Sequence, residues 1–223
     1  MRILKRLGVL AGGIIVGALA LIYVQFNWVG LIWVSGSSME PTLHAGEVRV
    51  IWRTTAMSSL QRGCIAVFRR DQNNVKRVLG MPGDTVQVRD GQVYINQVMA
   101  DTFSVIAETH AGSGSLMLQA QRVYNESWNA ATWGPFVVPY QGMVIPLGAP
   151  WSRQYHTLMV REWNALHPEE PVEDMGQIPN LGDQNVFRED HYFLVGDNRI
   201  VSLDSRGYGP LPESACRGVI SHL

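Results

Sequence analysis

Thr85-Val-Gln-Val-Arg89, Asp90-Gly91 and Gln92-Val-Tyr-Ile-Asn96 form the stretch that decides the fold. Its two runs alternate polar and apolar residues with period two, so one face of each points to a core. The Asp-Gly pair between them is a strong signal for a two-residue hairpin turn. The same alternation runs upstream. Glu47-Val-Arg-Val-Ile-Trp52 reads as a strand, and Cys64-Ile-Ala-Val-Phe68 as a second, entered through Arg62-Gly63. Val75-Lys-Arg-Val-Leu79 reads as a third, stopped by Gly80, Pro82 and Gly83.

Near the C-terminus the pattern returns. Tyr192-Phe-Leu-Val195 is followed by the polar turn Gly196-Asp-Asn-Arg199, and Gly218-Val-Ile-Ser-His-Leu223 reads as a closing strand. The stretch 103–188 differs, with Gly and Ser at Gly112 to Ser115 and prolines at Pro135, Pro139, Pro146 and Pro150. Within it, Trp151, Tyr155, Leu158, Met159, Trp163 and Leu166 recur at helical spacing, which predicts one amphipathic helix ended by His167-Pro168. Glu169, Glu170, Glu173 and Asp174 then read as a solvated acidic loop rather than a cation site. The fold class is mostly β with one mixed α/β insertion.

The N-terminus is of another kind. Arg2, Lys5 and Arg6 precede an uncharged run from Leu7 to Met39, and Leu7 to Val24 is wholly apolar or Gly. About 20 apolar residues span a bilayer as a helix, so Leu7 to Trp28 reads as a single transmembrane helix. Tyr23, Trp28 and Trp33 suit the far interface, and the cations before the span orient the N-terminus inward with the bulk of the chain outside. Ala18-Leu19-Ala20 has the small-x-small form of a cleavage site, but the apolar run continues past it, which favours a retained anchor.

The 223 residues carry a net charge of -1, and no basic stripe or zinc-finger spacing appears, so nucleic acid is not an expected partner. Two cysteines, Cys64 and Cys216, are too few for a disulfide scaffold, and their spacing leaves open whether they pair.

Val34-Ser-Gly-Ser-Ser-Met-Glu-Pro-Thr-Leu43 follows the apolar segment with the composition of a tight, exposed turn. A hydroxyl there is a turn residue or a nucleophile. Serine becomes a nucleophile only when a base removes its proton. None of the six histidines lies in a recognisable triad context, and no Gly-x-Ser-x-Gly elbow is present. The other base for serine is a lysine kept neutral by apolar burial. Beyond Lys5, in the membrane flank, the chain has one lysine, Lys76, on a predicted strand.

Four segments resemble, in order, the boxes of type I bacterial signal peptidases of the S26 type. They are Ser38-Met-Glu-Pro-Thr-Leu43, Arg62-Gly-Cys-Ile-Ala-Val-Phe68, Lys76-Arg-Val-Leu-Gly-Met-Pro-Gly-Asp84, and Gly196-Asp-Asn-Arg199 running on to Ser202-Leu-Asp-Ser-Arg206. Trp133-Gly-Pro-Phe-Val-Val-Pro139 is similar to a segment of longer members. The resemblance implies a membrane-anchored serine endopeptidase on a coiled antiparallel β-sheet, which removes signal peptides without cofactor or metal. It implies Ser38 as nucleophile, Lys76 as general base and then acid, and Ser202 as the hydroxyl that orients the lysine. Asp204 and Arg206 would hold the neighbouring turn by charge pairing, Met39 would pack the lysine stem, and Arg77 and Asp197 would be structural.

Two departures stand out. Gly36 occupies a position where many members carry a serine as second oxyanion donor, which leaves the Gly36 backbone region, Ser35 or Ser37 as alternatives. Cys64 replaces an acidic residue usual after Arg-Gly. The implied partners are exported pre-proteins with small residues before the cleavage site, bound extended against strand edges, and the lipid bilayer. The implied location is the bacterial inner membrane, with the catalytic domain on the periplasmic side. The implied organisation is an anchor over 1–33, a catalytic β domain over 34–102 and 189–223, and an insertion subdomain over 103–188. Two alternatives stay open: a specialised peptidase maturing a conjugative or secretion-system pilin, and a non-enzymatic extracytoplasmic binding module. Self-cleaving repressors share the Ser–Lys pair, but they are soluble and lead with a DNA-binding domain, which the apolar run from Leu7 excludes.

Overall fold

A computed structural model describes residues 13–19, 23, 28–53, 60–100, 128 and 132–220. Its elements are β1 (Val29–Trp33), β2 (Val48–Trp52), β3 (Ile65–Arg69), β4 (Asn73–Gly80), β5 (Thr85–Arg89), β6 (Gln92–Ile95), β7 (Val98–Met99), β8 (Trp133–Val137) and β9 (Val144–Pro146), followed by α1 (His156–Leu166), β10 (Gln184–Val186), β11 (His191–Val195), α2 (Ser205–Tyr208), β12 (Leu211–Pro212) and β13 (Cys216–Ile220).

Seven strands form one sheet in the order β1-β2-β13-β3-β4-β11-β12, with every ladder antiparallel. Register shifts at Phe193/Leu194 and Cys216/Gly218 interrupt two ladders, and such bulges bend a strand and increase its twist. A second sheet runs β7-β6-β5-β8, and β9 pairs with β10. The fold is mostly β, as expected.

The hairpin that carried the sequence argument forms as read. Val86 stands opposite Ile95 and Val88 opposite Val93, all four buried. Asp90 and Gly91 both take positive φ, at 50° and 78°, the backbone that a tight hairpin turn requires. The strand over 47–52 and the three over 64–68, 75–79 and 192–195 form within a residue or two of expectation. The last strand ends at Ile220, and the rest of its expected span lies outside the described residues.

Two differences matter. The segment Val29–Trp33, grouped with the anchor by sequence, is an edge strand paired to β2. Its residues alternate, with Gly30 and Ile32 buried and Leu31 and Trp33 outward. Because both faces are apolar, the strand period was hidden inside a long uncharged run. The predicted helix over Trp151–Leu166 is also split. Pro150–Tyr155 is a 3₁₀ turn and only His156–Leu166 is α-helical. No side chain caps the start of either segment, so nothing there favours the wider α turn. The helix stops at His167, which precedes Pro168 and leaves the helical region.

The stretch beyond residue 103 also contributes to the small sheet, because β8 pairs with β5. Phe136 and Trp133 there pack with Tyr155 and Leu158 and with Val86, Val88 and Phe193 in one core cluster. Residues 13–19 and 23 are helical, and the rest of the expected anchor lies outside the described residues. Among the described residues, no helix is long and apolar enough to cross a membrane.

Cys64 and Cys216 are not joined by a disulfide. Cys216 stands opposite Phe68, four residues along β3 from Cys64, which puts the two about 13 Å apart at the rise of an extended strand. That is well beyond the reach of a disulfide.

Candidate active site

Ser38 lies on the loop between β1 and β2. The base of the loop is closed by Val34 N–H donating to Glu47 O at 2.8 Å and Gly46 N–H to Val34 O at 2.7 Å. Met39 and Leu43 are buried with Ile32, Ile51, Ile65, Val67 and Ile220, against Val75. The apolar side chains just after Ser38 thus pin the loop while Ser38 itself stays half-buried at the rim. Met39 is buried in the same cluster as Val75, the residue before Lys76.

Lys76 is in the middle of β4, flanked by β3 and β11, and is 4% exposed. Its Nζ donates to Ser38 Oγ at 2.6 Å. Burial pushes the Lys76 amine below the ordinary lysine range. The Asp204 and Asp197 carboxylates oppose that shift and the Arg206 guanidinium reinforces it. When the amine is neutral, the contact can reverse: the Ser38 hydroxyl donates and the nitrogen lone pair accepts. A serine so placed beside a neutral amine can lose its proton as it attacks a carbonyl.

Gly196 to Arg206 wraps the other side. Asn198 N–H donates to Ser38 O at 3.0 Å, and Ser202 N–H to Asn198 O at 3.1 Å. A Cβ on Gly196 would collide with Ser202 Oγ and stand 2.5 Å from Ser38 O. Only glycine lets the two serine-bearing segments meet here.

Ser202 is fully buried, but its Oγ makes no hydrogen bond of normal geometry. The expected bond to Lys76 is therefore not formed. The hydroxyl is near enough to the Asp204 carboxylate to help hold that group's pKa down.

Two buried ion pairs frame the site. Asp204 takes Arg206 Nε and Nη2 at 2.9 Å each and Gly196 N–H at 3.1 Å. Burial pushes the Asp204 carboxyl up, but the Arg206 guanidinium, the Ser202 hydroxyl and the Gly196 N–H together outweigh it, so the net shift is downward. Arg206 also donates to Arg199 O, and Arg199 to Gly196 O. Arg77, the neighbour of Lys76, grips Asp197 through Nε at 2.8 Å and Nη2 at 2.6 Å, with both side chains 2% exposed. Asp197 also accepts from Thr42 Oγ1 at 2.6 Å. The sequence had marked Arg77, Asp197, Asp204 and Arg206. Thr42 and Asn198 stood in the quoted segments without a role.

Ser38 and Lys76 open into a cleft of about 590 Å³, bordered by Leu31 and Trp33 of β1, by Gly36, and by Asn74 at the start of β4. A Cβ at Gly36 would meet nothing within 4 Å. Ser38 N–H donates to no backbone carbonyl among the described residues. None of the described histidines lines the cleft. Among the described residues, no group of His, Cys, Asp or Glu is placed to hold a metal.

Residues 6–222 match the family model described as signal peptidase, peptidase S26. Signal peptidase I of Bacillus licheniformis is 45% identical over 67 residues, 28% of this chain and 36% of that protein. Signal peptidase I of Bacillus amyloliquefaciens is 47% identical over 66 residues, 28% of this chain and 35% of that protein. The chain thus spans about a third of the length of these two relatives. Signal peptidase IB of Staphylococcus aureus strain N315 is 26% identical over 194 residues, 84% of this chain and 73% of that protein. The crystal structure of a signal peptidase I from Enterococcus faecalis V583 overlays with a TM-score of 0.32 at 23% identity, covering 74% of this chain and all of that one.

Proposed function

We propose, for a chain that belongs to the signal peptidase family, peptidase S26, a serine endopeptidase that removes signal peptides from exported pre-proteins. The observation that carries this reading is the 2.6 Å contact between Lys76 Nζ and Ser38 Oγ, with the amine depressed by burial.

Neutral Lys76 takes the Ser38 proton as Oγ bonds to the scissile carbonyl carbon, whose oxygen becomes an oxyanion. Ser38 N–H is the first donor to that oxygen, a contribution of about 3–4 kcal/mol for a well-aimed donor. Lysine ammonium then protonates the leaving amine as the C–N bond breaks, leaving an ester on Ser38. Neutral Lys76 next takes a proton from water, whose oxygen bonds to the ester carbon. The C–Oγ bond breaks, Oγ recovers the proton, and the acid product leaves. A base that titrates near the working pH is the most effective, and burial moves Lys76 in that direction against the Asp204 and Asp197 carboxylates. Gly36 offers no hydroxyl to the oxyanion, so the second donor falls to the backbone around it or to Ser35 or Ser37. Ser202 acts on the site through Asp204, whose carboxylate it helps to keep charged.

The substrate binds extended along β1, whose outer edge is unpaired among the described strands; strand addition supplies main-chain bonds and pockets supply selectivity. The pre-proteins taken carry small residues before the cleavage site, as the family resemblance implies. We place the chain in the bacterial inner membrane through Leu7 to Trp28, with residues 34–223 on the periplasmic side. Support comes from an outward face of Leu31, Trp33, Val48, Val50 and Trp52, each 42% exposed or more, on paired strands just after that segment. An apolar patch of this kind marks a contact with lipid or protein.

The test is processing of a model pre-protein in detergent micelles by the full chain, Ser38→Ala and Lys76→Ala. Both variants are expected to lose cleavage while remaining folded, each with a single cooperative melting transition. Cleavage retained by either one removes the mechanism.

A further inference from the structure

Lys76 and Ser38 come from segments 38 residues apart, and a 2.6 Å contact between them needs both backbones to be fixed. Four residues beyond Ser38, Thr42 Oγ1 donates to Asp197 Oδ2 at 2.6 Å. The same oxygen accepts from Arg77 Nη2 at 2.6 Å, and Arg77 Nε holds the other oxygen at 2.8 Å. Arg77 follows Lys76 in β4 and is tied to the β3 entry by Nη1 donating to Gly63 O at 2.6 Å. The next residue after Asp197 also holds the serine loop, through Asn198 N–H to Ser38 O. The contacts close a ring: Lys76, Arg77, Asp197, Thr42, the serine loop, Ser38, and back to Lys76.

We infer that Thr42 is a positioning residue for the proposed Ser–Lys reaction: its hydroxyl links the Ser38 loop, through Asp197 and Arg77, to the strand that carries Lys76. This inference rests on the Ser–Lys reading. Thr42 touches neither the substrate nor the reacting atoms. Its effect is geometric, because opening the ring leaves Ser38 held by Asn198 N–H and by the burial of Met39 and Leu43. It is also electrostatic. Asp204 and Asp197 raise the affinity of Lys76 for its proton and Arg206 lowers it, while Arg77 is paired to Asp197. The Thr42 hydroxyl is one of the donors that compensate Asp197. Without it, more of the Asp197 charge reaches the amine, which then holds its proton to higher pH.

The test uses the full chain with Thr42→Val, which keeps the shape and removes the donor, and Thr42→Ser, which restores the donor. Cleavage is followed across pH, and Lys76 is titrated independently by acetic anhydride labelling read by mass spectrometry. The chain has only Lys5 and Lys76 as lysines, so the label is unambiguous. Thr42→Val is expected to lower kcat about tenfold with little change in KM, as misplacement of a reacting group does. Its acid limb and the Lys76 labelling midpoint move together to higher pH, and Thr42→Ser restores both. An unmoved labelling midpoint in folded Thr42→Val overturns the inference, as does an unchanged kcat. So does a Thr42→Val that fails to fold together with a Thr42→Ser that matches neither the parent's kcat nor its midpoint. Lys76→Ala and Ser38→Ala in the same assay separate the two claims. If they still cleave, the Ser–Lys reading has failed. If they are inactive and Thr42→Val behaves as the parent, only the positioning role has failed.

Discussion

Lys76 stands directly opposite Ala66 in the β3–β4 ladder, and both are shielded from solvent. Directly opposed Cβ atoms in an antiparallel pair are about 4.5–5.5 Å apart, so the residue that β3 sets directly across from the lysine stem carries only a methyl group. Ala66→Leu is expected to crowd that stem, costing about 1–3 kcal/mol of stability as overpacked cores do. Processing should fall by more than the unfolded fraction explains. A denaturation midpoint and a cleavage rate on the same preparation check this.

Lys76→Met removes a buried amine whose proton affinity is depressed in the folded state. Below the ordinary lysine pKa of about 10.4 the unfolded chain binds a proton there. The folded chain releases it at lower pH. The unfolded state therefore holds more protons between the depressed value and about 10.4, and the parent's stability rises with pH across that window. Lys76→Met is expected to be inactive yet to melt higher than the parent at neutral pH, by roughly 2–4 °C. The gap should close as pH rises. Calorimetric scans from neutral to alkaline pH follow it.

Asp197→Ala leaves Arg77 charged and buried without its partner. Breaking one side of such a pair costs about 3–5 kcal/mol. The double variant Arg77→Met with Asp197→Leu is expected to recover most of that stability while remaining slow in processing, because the tie to Thr42 is absent. Urea midpoints for the three proteins measure the coupling.

The two glycines at the site are expected to behave in opposite ways. Gly36→Ser has open space for its side chain, so the fold should keep its melting temperature and cleavage should be at least as fast as the parent's. Gly196→Ala drives a methyl group into Ser202 and the Ser38 carbonyl. It should separate the two segments and abolish processing. Rates and melting curves for both variants, set beside the parent, decide the contrast.

His191 is 2% exposed, and burial lowers its pKa from the ordinary 6.5 to about 4. As pH falls from 6.5 toward 4, the unfolded state takes up a proton that the folded state refuses, so stability is lost over that window. The full effect is about 3 kcal/mol. Glu162, whose carboxyl burial pushes up, works in the opposite sense at acid pH. The difference between the parent and His191→Gln isolates the histidine: the parent should lose more stability between pH 6.5 and 4. Equilibrium unfolding at pH 7, 5.5 and 4.5 checks the slope.

Much of the strand content was legible because period-two alternation with turn residues at the ends is a local property. Val86, Val88, Val93 and Ile95 show this: each was placed inward by its own neighbours. The strand Val29–Trp33 was not legible, since a wholly apolar run carries no period. The 3₁₀ start at Pro150 was missed because the helical spacing of Trp151 and Tyr155 is the same for a short tight turn followed by a helix. At the site, the scarcity of lysine singled out Lys76, and the family boxes singled out Ser38 from its neighbouring serines. Thr42 was hidden. A threonine after proline reads as turn chemistry until its partner, 155 residues away, is known.

The sequence by itself determined the β class, the family, and the pairing of one serine with one lysine as the residues to examine. These rest on local pattern and residue type, which survive without coordinates. Only the tertiary structure decided that Lys76 is buried and within 2.6 Å of Ser38, that Gly196 lets Ser202 and Ser38 meet, and that Arg77 and Thr42 share one carboxylate. Those facts depend on strand register and on the route of the chain between distant segments. Burial changes the proton affinity of an amine, and register sets a distance to a tenth of an ångström. Neither quantity exists until the strands have paired.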